Sequence, residues 1–232
     1  MNVVVLRHVE CEPAANYGEA LASLAPVVTI DMGVDELPDL TDVQAILTMG
    51  GPMGVGDADQ FPWIRDELDY LRQAVDSDIP VWGACLGAQM LAAALGAKVS
   101  TGDTPEIGVG QIALNDEGLA DPVWGSSGNT FNVLQWHSDT FDIPSGATLL
   151  ASSDRYPHQI FRYGKSYGVQ FHVEPSPALV AEWVAIPDYR DYLCAALGPE
   201  GPGIMASGMD RVGTELRDHA TRVMTEWSKL WL

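Results

Sequence analysis

Positive charge is what this sequence has least of. It carries 12 Lys and Arg against 32 Asp and Glu, a formal net charge of −20. Nucleic acid is bound mainly by neutralising its phosphates, so a chain this poor in cations excludes nucleic acid and anionic membrane as partners. Cysteine is also scarce. Cys11, Cys85 and Cys194 are an odd, scattered set with no CxxC pair, which excludes a disulfide framework and points to a reducing, cytoplasmic setting. Long apolar runs are missing too. The first, Val3 to Leu6, ends at Arg7, far short of a signal-peptide core or the roughly 20 residues of a membrane span. What is present is 47% hydrophobic residues across 232 positions, enough for a core that folds without staples.

Along the chain, short apolar runs at Val3 to Leu6, Val27 to Ile30 and Ala45 to Leu47 read as strands, with an Ala/Leu-rich helix over Ala14 to Leu24 between the first two. A right-handed crossover makes such strands parallel. A Gly/Asp loop covers Gly50 to Gln60. Apolar positions at Trp63, Ile64, Leu68, Leu71 and Val75 then have the spacing of an amphipathic helix, with Pro62 suited to its first turn. Ile79 to Trp82 reads as a strand and Leu86 to Leu95 as a helix. From Val99 to Phe171 short strands separated by turns predict an antiparallel or mixed extension of the sheet. Helices follow around Ala178 to Ala185 and Tyr189 to Leu197. The Gly/Pro segment Gly198 to Gly203 is read as separating these from a last helix near Gly213 to Leu230. No repeat and no long linker appears, so residues 1–232 are expected to form one domain with a helical extension over 198–232.

Three segments carry the chemistry. In Gly83-Ala84-Cys85-Leu86-Gly87-Ala88-Gln89, glycines two residues either side of Cys85 suit a nucleophile in a strained strand-to-helix turn. Its place at a helix N-terminus favours the thiolate. The plainer reading is a small buried cysteine closing a packing turn. In Gly168-Val169-Gln170-Phe171-His172-Val173-Glu174-Pro175, residues two apart on a strand share a face, which puts the Glu174 carboxylate beside the His172 imidazole as a base with its orienter, or else as a surface ion pair. The loop Thr48-Met49-Gly50-Gly51-Pro52-Met53-Gly54 follows a parallel strand, where open α/β sheets bind ligands. It lacks a phosphate-loop signature and reads as an oxyanion donor or an ordinary glycine turn. Nucleophile, base and orienter together are the parts of a covalent acyl-transfer site.

The ordered segments GGPMG, GACLGAQ, WHSD and GVQFHVEPSP resemble the class I (triad) glutamine amidotransferases, in particular stand-alone proteins similar to the glutaminase domain of GMP synthase; the likeness spans about residues 1 to 185. The resemblance implies a flavodoxin-like α/β fold: an open, mostly parallel twisted sheet with helices on both faces and a small antiparallel extension. It implies Cys85 as nucleophile, His172 as base and Glu174 as its partner. The amides of Gly51 and Leu86 would form the oxyanion hole, and Gln89 would help hold glutamine. The His137, Ser138, Asp139 loop would meet the substrate's amino-acid end, with Ser138 where relatives often carry glycine. His137 otherwise reads as a packed or hydrogen-bonded loop residue. No cofactor is implied. His8, Glu10, Cys11 and Glu12 do not make a metal site, because Cys11 and Glu12 point to opposite faces of a continued strand.

The expected reaction is hydrolysis of the glutamine side-chain amide to glutamate and ammonia through a cysteinyl thioester. Only 57 residues follow Pro175 and no Ser-Gly-Gly-x-Asp-Ser-type ATP-binding loop occurs, so the ammonia is expected to pass to an acceptor or a separate synthetase. The alternatives are a γ-glutamyl hydrolase or transferase acting on another γ-glutamyl compound, and a regulatory or binding subunit with latent catalysis.

Overall fold

A computed structural model describes residues 1–232. In chain order the first half contains β1 (Asn2–Arg7), α1 (Ala15–Ala22), β2 (Val27–Asp31), β3 (Val43–Thr48), α2 (Trp63–Asp76), β4 (Val81–Ala84), α3 (Leu86–Ala94) and β5 (Val99–Leu114). The second half contains α4 (Asp116–Leu119), β6 (Thr130–Phe141), β7 (Thr148–Ser152), β8 (Ile160–Tyr163), β9 (Ser166–Val169), α5 (Pro177–Ala185), α6 (Pro187–Leu197) and α7 (Gly201–Ser228). All nine strands join one sheet in the order β2-β1-β3-β4-β9-β8-β7-β5-β6. From β2 to β9 the strands run parallel. From β9 to β6 they run antiparallel. The expected α/β sheet is there, and its antiparallel part continues the parallel one through β9.

Alternation along the parallel strands explains why helices cover both faces. Val3, Val5, Ala45, Leu47, Trp82 and Ala84 point into one core with Tyr17 and Leu21 of α1 and Leu216, Val223 and Trp227 of α7. Val4, Leu6, Val43, Ile46 and Val81 point into the other, with Ile64 and Leu71 of α2 and Met90 and Leu91 of α3. Strands buried on both sides need near-continuous apolar runs, which β1 carries over Val3–Leu6 and β3 over Ala45–Leu47. The strand order reverses direction between β2 and β3 around β1, so a crevice opens at the carboxyl ends of these strands. The β1–α1, β3–α2 and β4–α3 connections all lie there.

Three boundaries differ from the sequence expectations. α7 begins at Gly201, not near Gly213, and runs 28 residues. Its early glycines serve close packing: a Cβ on Gly208 would meet Val109 at 2.9 Å, and one on Gly213 would meet Pro177 at 2.5 Å. β6 extends to Phe141, so His137, Ser138 and Asp139 stand on a strand paired with β5 and not in a loop. β9 stops at Val169, before His172.

Candidate active site

The β4–α3 junction turns at Cys85, whose φ of 53° and ψ of −109° are outside the regions that side chains adopt without strain. Cys85 N–H is held by the Val169 carbonyl at 2.8 Å and Gly87 N–H by that of Met49 at 2.9 Å. The two flanking glycines are sterically required. A Cβ on Gly83 would strike the Gly87 backbone, and one on Gly87 would strike the Thr48 carbonyl oxygen. Cys85 thus sits at the floor of a cavity of about 430 Å³, at 8% exposure. Gly51 and Leu86 line the same cavity. Gly51 N–H makes no hydrogen bond within the protein, and Leu86, as the first residue of α3, has no preceding helical turn to bond to.

His172 reaches this cavity from beyond β9. Its backbone pairs with Leu134 of β6, His172 N–H to Leu134 O at 2.8 Å and Leu134 N–H to His172 O at 3.0 Å. Its Nδ1 donates to Glu174 Oε1 at 2.6 Å, and Glu174 Oε2 accepts from the Val173 N–H at 3.1 Å. Strand alternation, the ground on which the pair was read from sequence, is not the cause. The chain has left the strand, and a bridge to β6 and the carboxylate's own backbone bond hold the two side chains together. Burial disfavours a charged imidazole, but Glu174 and Cys85 outweigh it and raise the His172 pKa well above the ordinary histidine value. His172 and Glu174 are each 2% exposed, so this is a buried pair and not a surface one.

The remaining sequence candidates also meet here. Gln89, His137, Ser138 and Asp139 all line the cavity. Gln89 Nε2 donates to the Asp139 carbonyl at 3.4 Å and to Gln170 Oε1 at 3.3 Å. His137 is bonded at both ring nitrogens, to the Asp139 carbonyl at 2.9 Å and to Glu106 Oε2 at 3.3 Å. Ser138 Oγ bonds the Tyr192 hydroxyl of α6. A family model described as "Glutamine amidotransferase class-I" matches residues 14–180. The chain belongs to that family.

Individual likenesses agree. The class I amidotransferase is 35% identical over 141 residues to the glutamine amidotransferase-like protein YfeJ of Salmonella typhimurium, covering 59% of each chain. It is 31% identical over 175 residues to a glutamine-hydrolysing GMP synthase component of Natronomonas pharaonis, covering 71% of this chain and 87% of that one. A solved glutamine amidotransferase of Thermotoga maritima superposes with a TM-score of 0.88 at 27% identity, covering 98% of this chain and 97% of that one. The match spans 59% of the YfeJ chain and 27% of the longer GMP synthases. No helix of the amidotransferase is long and apolar enough to cross a membrane.

Several residues at the site were not found from the sequence. His8, at the end of β1, is completely buried in its side chain; its Nε2 meets Glu67 Oε2 of α2 at 2.9 Å and its Nδ1 meets the Gly50 carbonyl at 3.0 Å. Thr48 Oγ1 donates to the other Glu67 oxygen at 2.5 Å. Both partners of His8 are acceptors, so both ring nitrogens donate. Burial opposes the resulting charge, yet Glu67 and the Gly50 carbonyl prevail and the His8 pKa is raised. The pair anchors the peptide that precedes Gly51. Glu12, also from the β1–α1 connection, is 8% exposed, and burial pushes its carboxyl pKa up. It lies against Gly50, where an added Cβ would collide with Glu12 Oε2 and come within 3.2 Å of His172 Cε1. The Tyr189 hydroxyl of α6 donates to Glu12 Oε1 at 2.6 Å, and Trp183 Nε1 of α5 donates to the Cys11 carbonyl at 2.6 Å. The Trp183 ring stands edge-on to His172, centroids 5.6 Å apart. These residues sit 19 to 177 positions from their partners and follow no spacing rule. The one signal was a histidine and glutamate four apart after a first strand, which the sequence reading weighed only as part of a metal site and set aside.

Proposed function

We propose that the amidotransferase hydrolyses the side-chain amide of glutamine, or of another γ-glutamyl compound, through a thioester on Cys85. The observation that carries this reading is the juxtaposition, in one cavity, of a cysteine in a left-handed turn, a buried histidine bonded to a carboxylate at 2.6 Å, and two backbone N–H groups without protein partners. The Cys85 thiolate attacks the amide carbon and a C–S bond forms. The oxygen takes up the negative charge and faces Gly51 N–H and Leu86 N–H; losing one such donor typically raises the barrier by about 3–4 kcal/mol. His172, kept protonated by Glu174, gives its proton to the nitrogen as the C–N bond breaks and ammonia leaves. The now neutral imidazole takes a proton from water, which attacks the thioester and releases glutamate and the thiolate. Asp139 lines the cavity, and its carboxylate would meet the substrate's α-ammonium group.

Membership of the family makes glutamine the first substrate to test and a synthetase the first partner. Replacing Cys85 by Ala should abolish ammonia release while leaving the thermal transition near that of the parent. Retention of glutaminase activity in Cys85→Ala sinks the assignment. The alternative of a γ-glutamyl hydrolase is favoured by one observation. α5 and α6 are tied to the β1–α1 connection by the Tyr189–Glu12 and Trp183–Cys11 bonds, and their residues Trp183, Ile186, Tyr189 and Tyr192 extend the cavity wall.

A further inference from the structure

The family match ends at residue 180, yet Trp183, Ile186, Asp188, Tyr189 and Tyr192 line the cavity from beyond it. The cavity therefore has a second side that lies outside the matched segment. On one, Gly51, Leu86, Gln89 and Asp139 surround the acyl half of a γ-glutamyl substrate. On the other, beside His172, lie Glu12 and the α5–α6 wall. We propose that this second side is a subsite for the amine half of a γ-glutamyl amide, and that it selects amines with a short aliphatic stem ending in a positive charge. The inference rests on the thioester reading above.

Three observations set the chemistry of the subsite. First, Glu12 Oε1 is occupied by the Tyr189 hydroxyl, but Oε2 has no hydrogen-bond partner although the residue is more than nine-tenths buried and lines the cavity. An acceptor in that position suits the N–H of a departing amide nitrogen and nothing anionic. Second, the wall next to Glu12 is apolar and aromatic. Trp136 stands against Trp183 and Tyr189, with centroids 5.9 and 6.0 Å apart, and Ile186 adjoins them. Such faces cover methylene groups and attract a cation within about 6 Å. Third, Asp188 at the mouth, in the first turn of α6, forms no ion pair, and no Lys or Arg lines the cavity. The overall charge of −20 biases approach in the same direction.

In the reaction the C–N bond breaks as His172 passes its proton to the nitrogen, so the first amine group departs neutral. The far ammonium keeps its charge throughout and is held at Asp188. Glutamate is the second product.

The test is a charge series on one stem. γ-Glutamyl conjugates of 1,4-diaminobutane, n-butylamine and 4-aminobutanoate place an ammonium, a methyl or a carboxylate at nearly the same point, and glutamine has no stem. With the full chain, kcat/KM should rank ammonium over methyl by about fivefold or more, methyl over carboxylate by a similar factor, and the ammonium conjugate above glutamine. Asp188→Asn should narrow the ammonium-to-methyl ratio through KM, with kcat for the ammonium conjugate preserved. Values within twofold across the three termini, or glutamine turned over faster than every conjugate, would overturn the subsite. Mass spectrometry of the acyl-enzyme separates the two levels of inference. A glutamyl adduct on Cys85 from all substrates at equal rates removes the subsite and keeps the thioester, whereas no adduct from any substrate removes both.

Discussion

The His8–Glu67 pair offers a perturbation in which stability and catalysis should come apart. His8 holds the Gly50 carbonyl at 3.0 Å and Glu67 at 2.9 Å, with both side chains fully buried. Replacing His8 by Ala strands the Glu67 carboxylate in the core, a loss of about 3–5 kcal/mol for a broken buried pair. For a chain of this size that lowers Tm by about 6–20 °C. Without its anchor the Gly50–Gly51 peptide is free to rotate, and losing one oxyanion donor lowers kcat by about 100- to 1,000-fold. The double replacement His8→Leu with Glu67→Met removes both charges and keeps the volume, and buried ion pairs exchanged for packed apolar residues are commonly neutral or stabilising. Tm should then recover while kcat stays low, because the Gly50 carbonyl still lacks a donor. The assay is glutamine turnover per folded molecule beside urea or thermal melts, with iodoacetamide alkylation of Cys85 as a control that the thiol is still activated. Alkylation should proceed at the parent rate, since His172 and the start of α3 are untouched. A double variant with parental kcat would refute the anchoring argument. There is also a pH signature. The His8 pKa is raised on folding, so its contribution to stability is complete below about 6.5 and is lost as pH climbs through the raised value; the double variant should lack that decline.

Two further expectations follow from single residues. Gly87→Ala forces a methyl group against the Thr48 carbonyl oxygen, which belongs to backbone that cannot swing aside. A loss of at least about 1–3 kcal/mol is expected in denaturant melts, together with reduced glutamine turnover, and a variant as stable as the parent would mean that the turn at Cys85 has more room than described. His219 of α7 stacks on Phe131 at 4.8 Å, and burial, aided by the Arg222 charge, lowers its pKa to about 4. Between that value and about 6.5 the unfolded chain binds the additional proton, so stability should fall on acidification by up to about 3 kcal/mol. His219→Phe should flatten this slope in urea melts between pH 4.5 and 7, and an unchanged slope would place the acid sensitivity elsewhere.

The parallel half of the sheet and the turn at Cys85 were legible in the sequence because each rests on local rules. Apolar runs made the strands, and glycines at fixed offsets marked the turn. The Gly50–Gly51 loop followed from its place after a strand. The pairing of His172 with Glu174 was foreseen, though for a reason the structure replaces: the bridge from His172 to Leu134 and the Val173 N–H bond to Glu174, not strand alternation. Where local rules and packing disagreed, packing prevailed. The Gly198–Gly203 segment read as a separator before a helix starting near Gly213, yet α7 runs from Gly201 through Gly203, Gly208 and Gly213, the latter two letting it approach Val109 and Pro177. The His137, Ser138, Asp139 segment read as a loop, yet β5 gives His137 a strand partner in Glu106. His8, Glu12 and Glu67 were illegible as a group, since nothing in a sequence indicates that a carboxylate 59 positions away will close on a histidine.

β9 belongs to both halves of the sheet, parallel to β4 on one edge and antiparallel to β8 on the other. It is only four residues long. The pairing that it makes with β4 closes a loop of 85 positions, measured from Val81 to Ser166, and Cys85 draws its backbone bond from the last residue of β9. Contacts of such long range are formed late, after the local hairpins β5–β6 and β8–β9 have lowered the entropy of closure. Assembly of the catalytic cleft is therefore the same event as the joining of the two half-sheets. During refolding, the appearance of glutaminase activity should lag behind the recovery of strand and helix signals and coincide with the burial of Trp82, which pairs with Tyr167 of β9.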